Sequence, residues 1–177
     1  MNELPIVKES RTAKISLLVV IIAAIFWLGA INVRAVIGND LLVFGTIDFK
    51  SNINPQVERT VFGLVAKSSI VVLVWYLVLW IAGIVFLFTT KLKLKQNGWL
   101  MMGAILFYFF TPVEVYTLVL DGKMIYLDLY TKGELVEFRK LFIHRLAALQ
   151  GVPIIAQFCY YTIIALVVFQ PLKRNDL

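Results

Sequence analysis

Four apolar blocks, each long enough to cross a bilayer as a helix, set what this chain can fold into. They cover about 15–37, 61–90, 99–120 and 146–170. A spanning helix needs about 20 mostly apolar residues, because the hydrocarbon core is roughly 30 Å thick and each residue rises about 1.5 Å. The blocks raise the hydrophobic share of the 177 residues to 60% and leave 16% charged, where a soluble domain carries roughly a quarter charged. The expected fold is an all-α integral membrane bundle of four transmembrane helices forming one domain, since no polar linker, low-complexity stretch or internal repeat divides the chain.

The block edges carry recognisable punctuation. The first block follows Lys8, Arg11 and Lys14. It is too long for a signal-peptide core and lacks a small-residue cleavage site, so it reads as retained. Asn54 suits a helix N-cap and Pro55 the first helical position, where a missing N–H costs nothing. The second helix is therefore expected to begin near 55 and to reach about 54 Å, with Gln56, Glu58 and Arg59 standing in the outer aqueous phase. The third block ends at the turn pair Asp121-Gly122 and the fourth stops at Pro171.

Charge gives the orientation. With both termini cytoplasmic, the inner segments hold Lys8, Arg11, Lys14, Lys91, Lys93, Lys95, Lys173 and Arg174. The outer loops 38–60 and 121–145, together much longer, hold Lys50, Arg59, Lys123, Lys132, Arg139, Lys140 and Arg145. The higher inner density satisfies the positive-inside rule and accounts for the net charge of +6 as anchoring to anionic lipid. No basic stripe interleaved with aromatics points to nucleic acid. The expected location is a bacterial cytoplasmic membrane. The stretch Phe26-Trp27-Leu28-Gly29 resembles the opening helix of several four-helix bacterial membrane families and singles out none of them.

The outer loops are short but patterned. Residues 41–50 and 123–130 are β-branched and aromatic, which favours extended structure, and Asp121-Gly122 suits a tight hairpin turn. Either irregular surface connections or a small β-hairpin fit these segments. In 134–145, Leu135, Phe138, Leu141 and Phe142 recur at helical spacing. They form an amphipathic helix before the fourth span, either lying along the interface or extending that span upward. His144 at its end reads as a hydrated surface group.

Ionisable residues inside a span are candidate functional groups. Arg34, Lys67 and Glu114 lie about 28, 35 and 22 Å from the cytoplasmic ends of their helices by the usual rise, so all three approach the outer part of the membrane. The two cations are long enough to snorkel to head groups. Glu114 is not, and must be paired, protonated or set in a polar cavity. Pro112, two residues earlier, should break the local helix. Arg34 is the expected partner of Glu114, with Lys67 second. Gln150 and Tyr116 complete a candidate polar pocket, which otherwise acts as an internal lock between helices. Gln157, Tyr160 and Tyr161 serve interhelical hydrogen bonding lower down.

The spans contain neither the paired histidines that haem requires nor cysteine pairs, and Cys159 is the one cysteine. No cofactor or metal is expected. The leading expectation is a non-enzymatic accessory or structural subunit, in contact with membrane lipids and with other membrane subunits or copies of itself, carrying a lipid or small-ligand pocket near the outer leaflet. A second reading is a small oligomeric transporter or channel with Glu114 as its ion- or proton-linked site. A third is a membrane enzyme acting on lipid or quinone, which would need an acid/base pair such as Glu114 with His144.

Overall fold

The computed structural model describes residues 9–131 and 134–173. Of the charges counted above, Lys8, Lys132 and Arg174 lie outside the described residues. Among the described residues there are six α-helices: α1 (Arg11–Asn39), α2 (Pro55–Thr89), α3 (Gly98–Phe109), α4 (Thr111–Tyr126), α5 (Leu135–Leu146) and α6 (Val152–Phe169). They compose four helical segments long and apolar enough to cross a membrane: α1, α2, α3 with α4, and α5 with α6. The described residues contain no β-strand beyond isolated bridges.

Local chemistry sets the element boundaries. The Ser10 hydroxyl accepts from the Ala13 N–H and caps α1. The Asn54 side chain accepts from the Gln56 N–H at 2.8 Å, with Pro55 opening α2. α3 gives way to α4 at Phe110, immediately before Thr111-Pro112, where the proline supplies no N–H to continue the ladder. A π-helical turn, Leu127–Thr131, extends α4. The segment 123–130 is thus helical, not extended, and Asp121-Gly122 lies within α4 instead of forming a hairpin turn. Packing against α2 and α5 overrides the β-propensity of these side chains. At 41–50 a single antiparallel bridge, Leu42 to Phe49, is all that remains of a hairpin.

Between α5 and α6 the backbone turns through three consecutive left-handed residues, Leu149, Gln150 and Gly151 (φ +50°, +54° and +89°). The fourth segment is therefore broken, where the sequence suggested a continuous span from 146. Gly151 and Pro153 explain the break, since one accepts positive φ and the other suits a first helical turn.

Two cores stack along the bundle. The lower one gathers Ala23, Trp27, Val72, Tyr76, Leu79, Phe110, Ala156 and Tyr160 from α1, α2, the α3/α4 break and α6. The upper one gathers Leu41, Leu42, Phe62, Val65, Met124, Phe138 and Phe142. α5 carries the apolar stripe read from the sequence, and Phe138 and Phe142 turn it into this upper core. Gly38 allows the approach of α1 to α5, because a Cβ there would stand 2.8 Å from Phe142 Cζ. At the lower end, the Glu9 carboxylate accepts from the Thr90 hydroxyl and the Lys91 N–H, joining the base of α1 to that of α2.

Candidate functional site

The two cores meet at a buried charge cluster. Arg34 of α1 donates from Nη1 to Asp121 Oδ2 of α4 at 2.5 Å, and to Ser69 Oγ of α2 at 3.0 Å. Arg145 of α5 donates from Nε to Asp121 Oδ1 at 2.6 Å. Asp121 is completely buried and Arg34 nearly so. One carboxylate thus holds two guanidinium groups, and four helices converge on it. Such a group is tolerable only when every member is paired, because an isolated buried charge is costly.

Glu114 lies about two helical turns below Asp121 on α4, buried, with its Oε1 accepting from the Tyr160 hydroxyl of α6 at 3.0 Å. Arg34 and Arg145 are near enough to act on it electrostatically. Two guanidinium groups, Arg34 and Arg145, thus stand with two carboxyl side chains, Asp121 and Glu114, in one buried neighbourhood. Beneath Glu114, Trp27 packs edge-on against Tyr160 (centroids 4.8 Å apart) and beside Tyr76 (5.3 Å). Trp27 Nε1, Tyr76 OH and Thr111 Oγ1 are buried here without hydrogen-bond partners. The Tyr76 and Thr111 hydroxyls interact but miss hydrogen-bond geometry.

Two further ion pairs staple the upper core. Arg139 grips Glu58 through both Nε and Nη2, at 2.5 and 2.6 Å. Arg59 pairs with Asp128 at 2.7 Å and lies over the Phe138 ring. Glu58 is 1% exposed, a correction to its expected place in the aqueous phase, since α5 folds down beside α2 and covers it. The two halves of this pair are unequal. Arg139→Ala leaves a buried carboxylate without a cation and is expected to cost about 2 kcal/mol. Glu58→Gln releases an arginine side chain that is 43% exposed and can turn into water, so its cost should be about half or less. Unfolding midpoints of the two variants in detergent check the ordering.

The residues singled out from the sequence are only partly brought together. Glu114 and Arg34 share one neighbourhood, but the partner of Glu114 is Tyr160 and the partner of Arg34 is Asp121. The tighter claim of Asp121 on Arg34 is the physical reason for the change. Lys67 is exposed on α2 and has no ion pair among the described residues. Gln150 is exposed in the left-handed turn, away from any helix face. Tyr116 points outward and meets His144 Nε2 at 3.1 Å, so His144 engages Tyr116 and not Glu114.

Asn32, Gln157 and Tyr161 form an exposed clasp between α1 and α6, with the Tyr161 hydroxyl 2.7 Å from Asn32 Nδ2. Asp121 and Arg145 escaped the sequence reading because both fell in segments assigned to an outer loop. A spacing signal was available: Glu114, Asp121 and Met124 fall on one face of a helix carried beyond residue 120.

The surface offers one groove of note, about 610 Å³ between α4 and α5, lined by Lys123, Lys140, Glu137 and mostly apolar neighbours. No cluster of three or more His, Cys, Asp or Glu side chains suited to a metal ion occurs among the described residues. Compared with known proteins, the chain matches no protein-family model, and no curated protein or solved structure is significantly similar to it.

Proposed function

We propose that this chain is an integral membrane protein of four spans acting as a non-enzymatic accessory or structural subunit, with its termini cytoplasmic and its upper core at the outer membrane face. One observation carries this reading. Each buried carboxylate (Asp121, Glu114, Glu58) is committed to a cation or hydroxyl on another helix, an arrangement that fixes helix order. Helix lengths support the placement. α6 has 18 residues and reaches about 27 Å, close to the hydrocarbon thickness, whereas α2 has 35 and reaches about 52 Å. The excess of α2 carries the upper core out of the hydrocarbon, with Asp121 and its arginines at the boundary. Long exposed apolar faces, including Ile25 and Val36 on α1 and Phe158 and Val168 on α6, fit contact with lipid and with other membrane subunits or a second copy.

A transporter is the second reading, and it has its own observation: Glu114 is buried within the bundle, above the Tyr76 and Thr111 hydroxyls, which lack hydrogen-bond geometry. Native mass spectrometry of the particle extracted gently from its membrane tests both. The expected result is a fixed stoichiometry with other membrane subunits, unchanged by Glu114→Gln. A chain found alone, which supports proton-linked flux in vesicles that Glu114→Gln abolishes, would replace the first reading with the second.

A further inference from the structure

We infer that the groove between α4 and α5 is a binding site for the head group of an anionic glycerophospholipid in the outer leaflet, an inference that rests on the membrane placement above. The groove is lined by Val119, Lys123, Tyr126, Glu137, Lys140 and Leu141, among others. Its position along the helices matches the membrane boundary. Val119 lies two residues below Asp121, at the level of the buried charge cluster and the top of the hydrocarbon. Lys123 and Tyr126 lie about 3 and 8 Å above Asp121 along α4, and Lys140 about 8 Å above Arg145 along α5. A lipid seated here lays its first methylene groups on Val119 and Leu141 and raises its phosphate to the two ammonium groups.

Charge separates this groove from the rest of the upper core. Arg34, Arg59, Arg139 and Arg145 are each bound to a carboxylate. Lys123 and Lys140 are exposed and carry no ion pair among the described residues, so two positive charges with their donors available line one recess against the single carboxylate of Glu137. A phosphodiester is complementary to that pair as a compact anion with several acceptor oxygens. The Glu137 carboxylate, which also lines the groove, can accept from a hydroxyl of a polyol head group. A zwitterionic lipid would bring its own ammonium to the same two lysines and lose most of the attraction.

The test uses the full chain reconstituted in nanodiscs and read by native mass spectrometry as bound lipid is exchanged. Phosphatidylglycerol, phosphatidylcholine and inorganic phosphate serve as probes. Phosphatidylglycerol is expected to be retained over phosphatidylcholine, and K123Q/K140Q to weaken it about thirtyfold, each lysine near a membrane surface contributing roughly fivefold. K123R/K140R should keep the preference and K67Q should leave it unchanged. Equal retention of phosphatidylglycerol by K123Q/K140Q, or equal retention of both lipids by the unaltered chain, would overturn the inference. Displacement by millimolar inorganic phosphate would overturn it too, marking a free-anion site. Extraction of the chain from its native membranes by alkaline carbonate, done first, would refute the membrane placement itself, which separates that failure from a failure of the groove.

Discussion

Asp121→Ala is expected to lower the unfolding free energy by about 3–5 kcal/mol, the range for removing one partner of a buried ion pair. The carboxylate is completely buried and is the direct acceptor for both Arg34 and Arg145. Its loss leaves two guanidinium groups at the junction between the cores. They differ in their escape routes. The Arg145 side chain is 19% exposed and can rotate outward, whereas Arg34, at 5%, is held on a helix interior with Ser69 as its remaining acceptor. The penalty should therefore come chiefly from Arg34, and the pair Arg34→Met with Asp121→Leu should recover most of it, because two apolar side chains replace two charges. Glu114 is the remaining acidic group that interacts with both arginines. Glu114→Gln on the Asp121→Ala background should therefore cost more than Glu114→Gln alone, a coupling expected between members of one network. Tryptophan fluorescence followed through a detergent unfolding series measures all four variants. A loss below about 1 kcal/mol for Asp121→Ala would mean that the cluster is not what joins the two cores.

The four membrane-length helical segments were legible because their signal is gross: lipid-length apolar runs, an Asn-Pro start at 54–55 and a breaker at Pro112. The upper core was not, and the reason is specific. Residues 121–145 carry enough charge to read as a loop, yet Asp121, Asp128, Arg139 and Arg145 are charges that the fold uses internally. A hydropathy reading treats every charge as a demand for water. It cannot register that Asp121 and Arg34, 87 residues apart, neutralise one another. The same blindness misassigned Glu58, whose partner lies 81 residues away. Within the candidate site, Glu114 and Arg34 were legible as isolated oddities in apolar blocks. Their actual partners, Tyr160 and Asp121, follow only from how α4 and α6 pack. Gln150 was placed by assuming a continuous fourth helix, which the left-handed residues at 149–151 interrupt.

Trp27 offers the second large effect and also tests whether the lower core holds more than side chains. The indole is 1% exposed and touches Tyr76, Phe107 and Tyr160, so it fills the space where α1, α2, α3 and α6 come together. Trp27→Ala is expected to cost about 3–5 kcal/mol from lost packing and the cavity left behind. Trp27→Phe should behave differently. It gives up part of the packing but also removes a buried N–H that has no acceptor, and an unsatisfied buried donor costs roughly 1–3 kcal/mol. The two terms oppose one another, so Trp27→Phe should stay within about 1 kcal/mol of the parent chain in the same unfolding measurement. If that variant is instead as damaging as the alanine change, the N–H must be bonded in the working protein. Its acceptor would then stand beside Tyr76, Thr111 and Glu114, and the lower core would contain a polar occupant, as the transport reading requires. A mild phenotype leaves the lower core as packing alone, with Glu114 held by Tyr160.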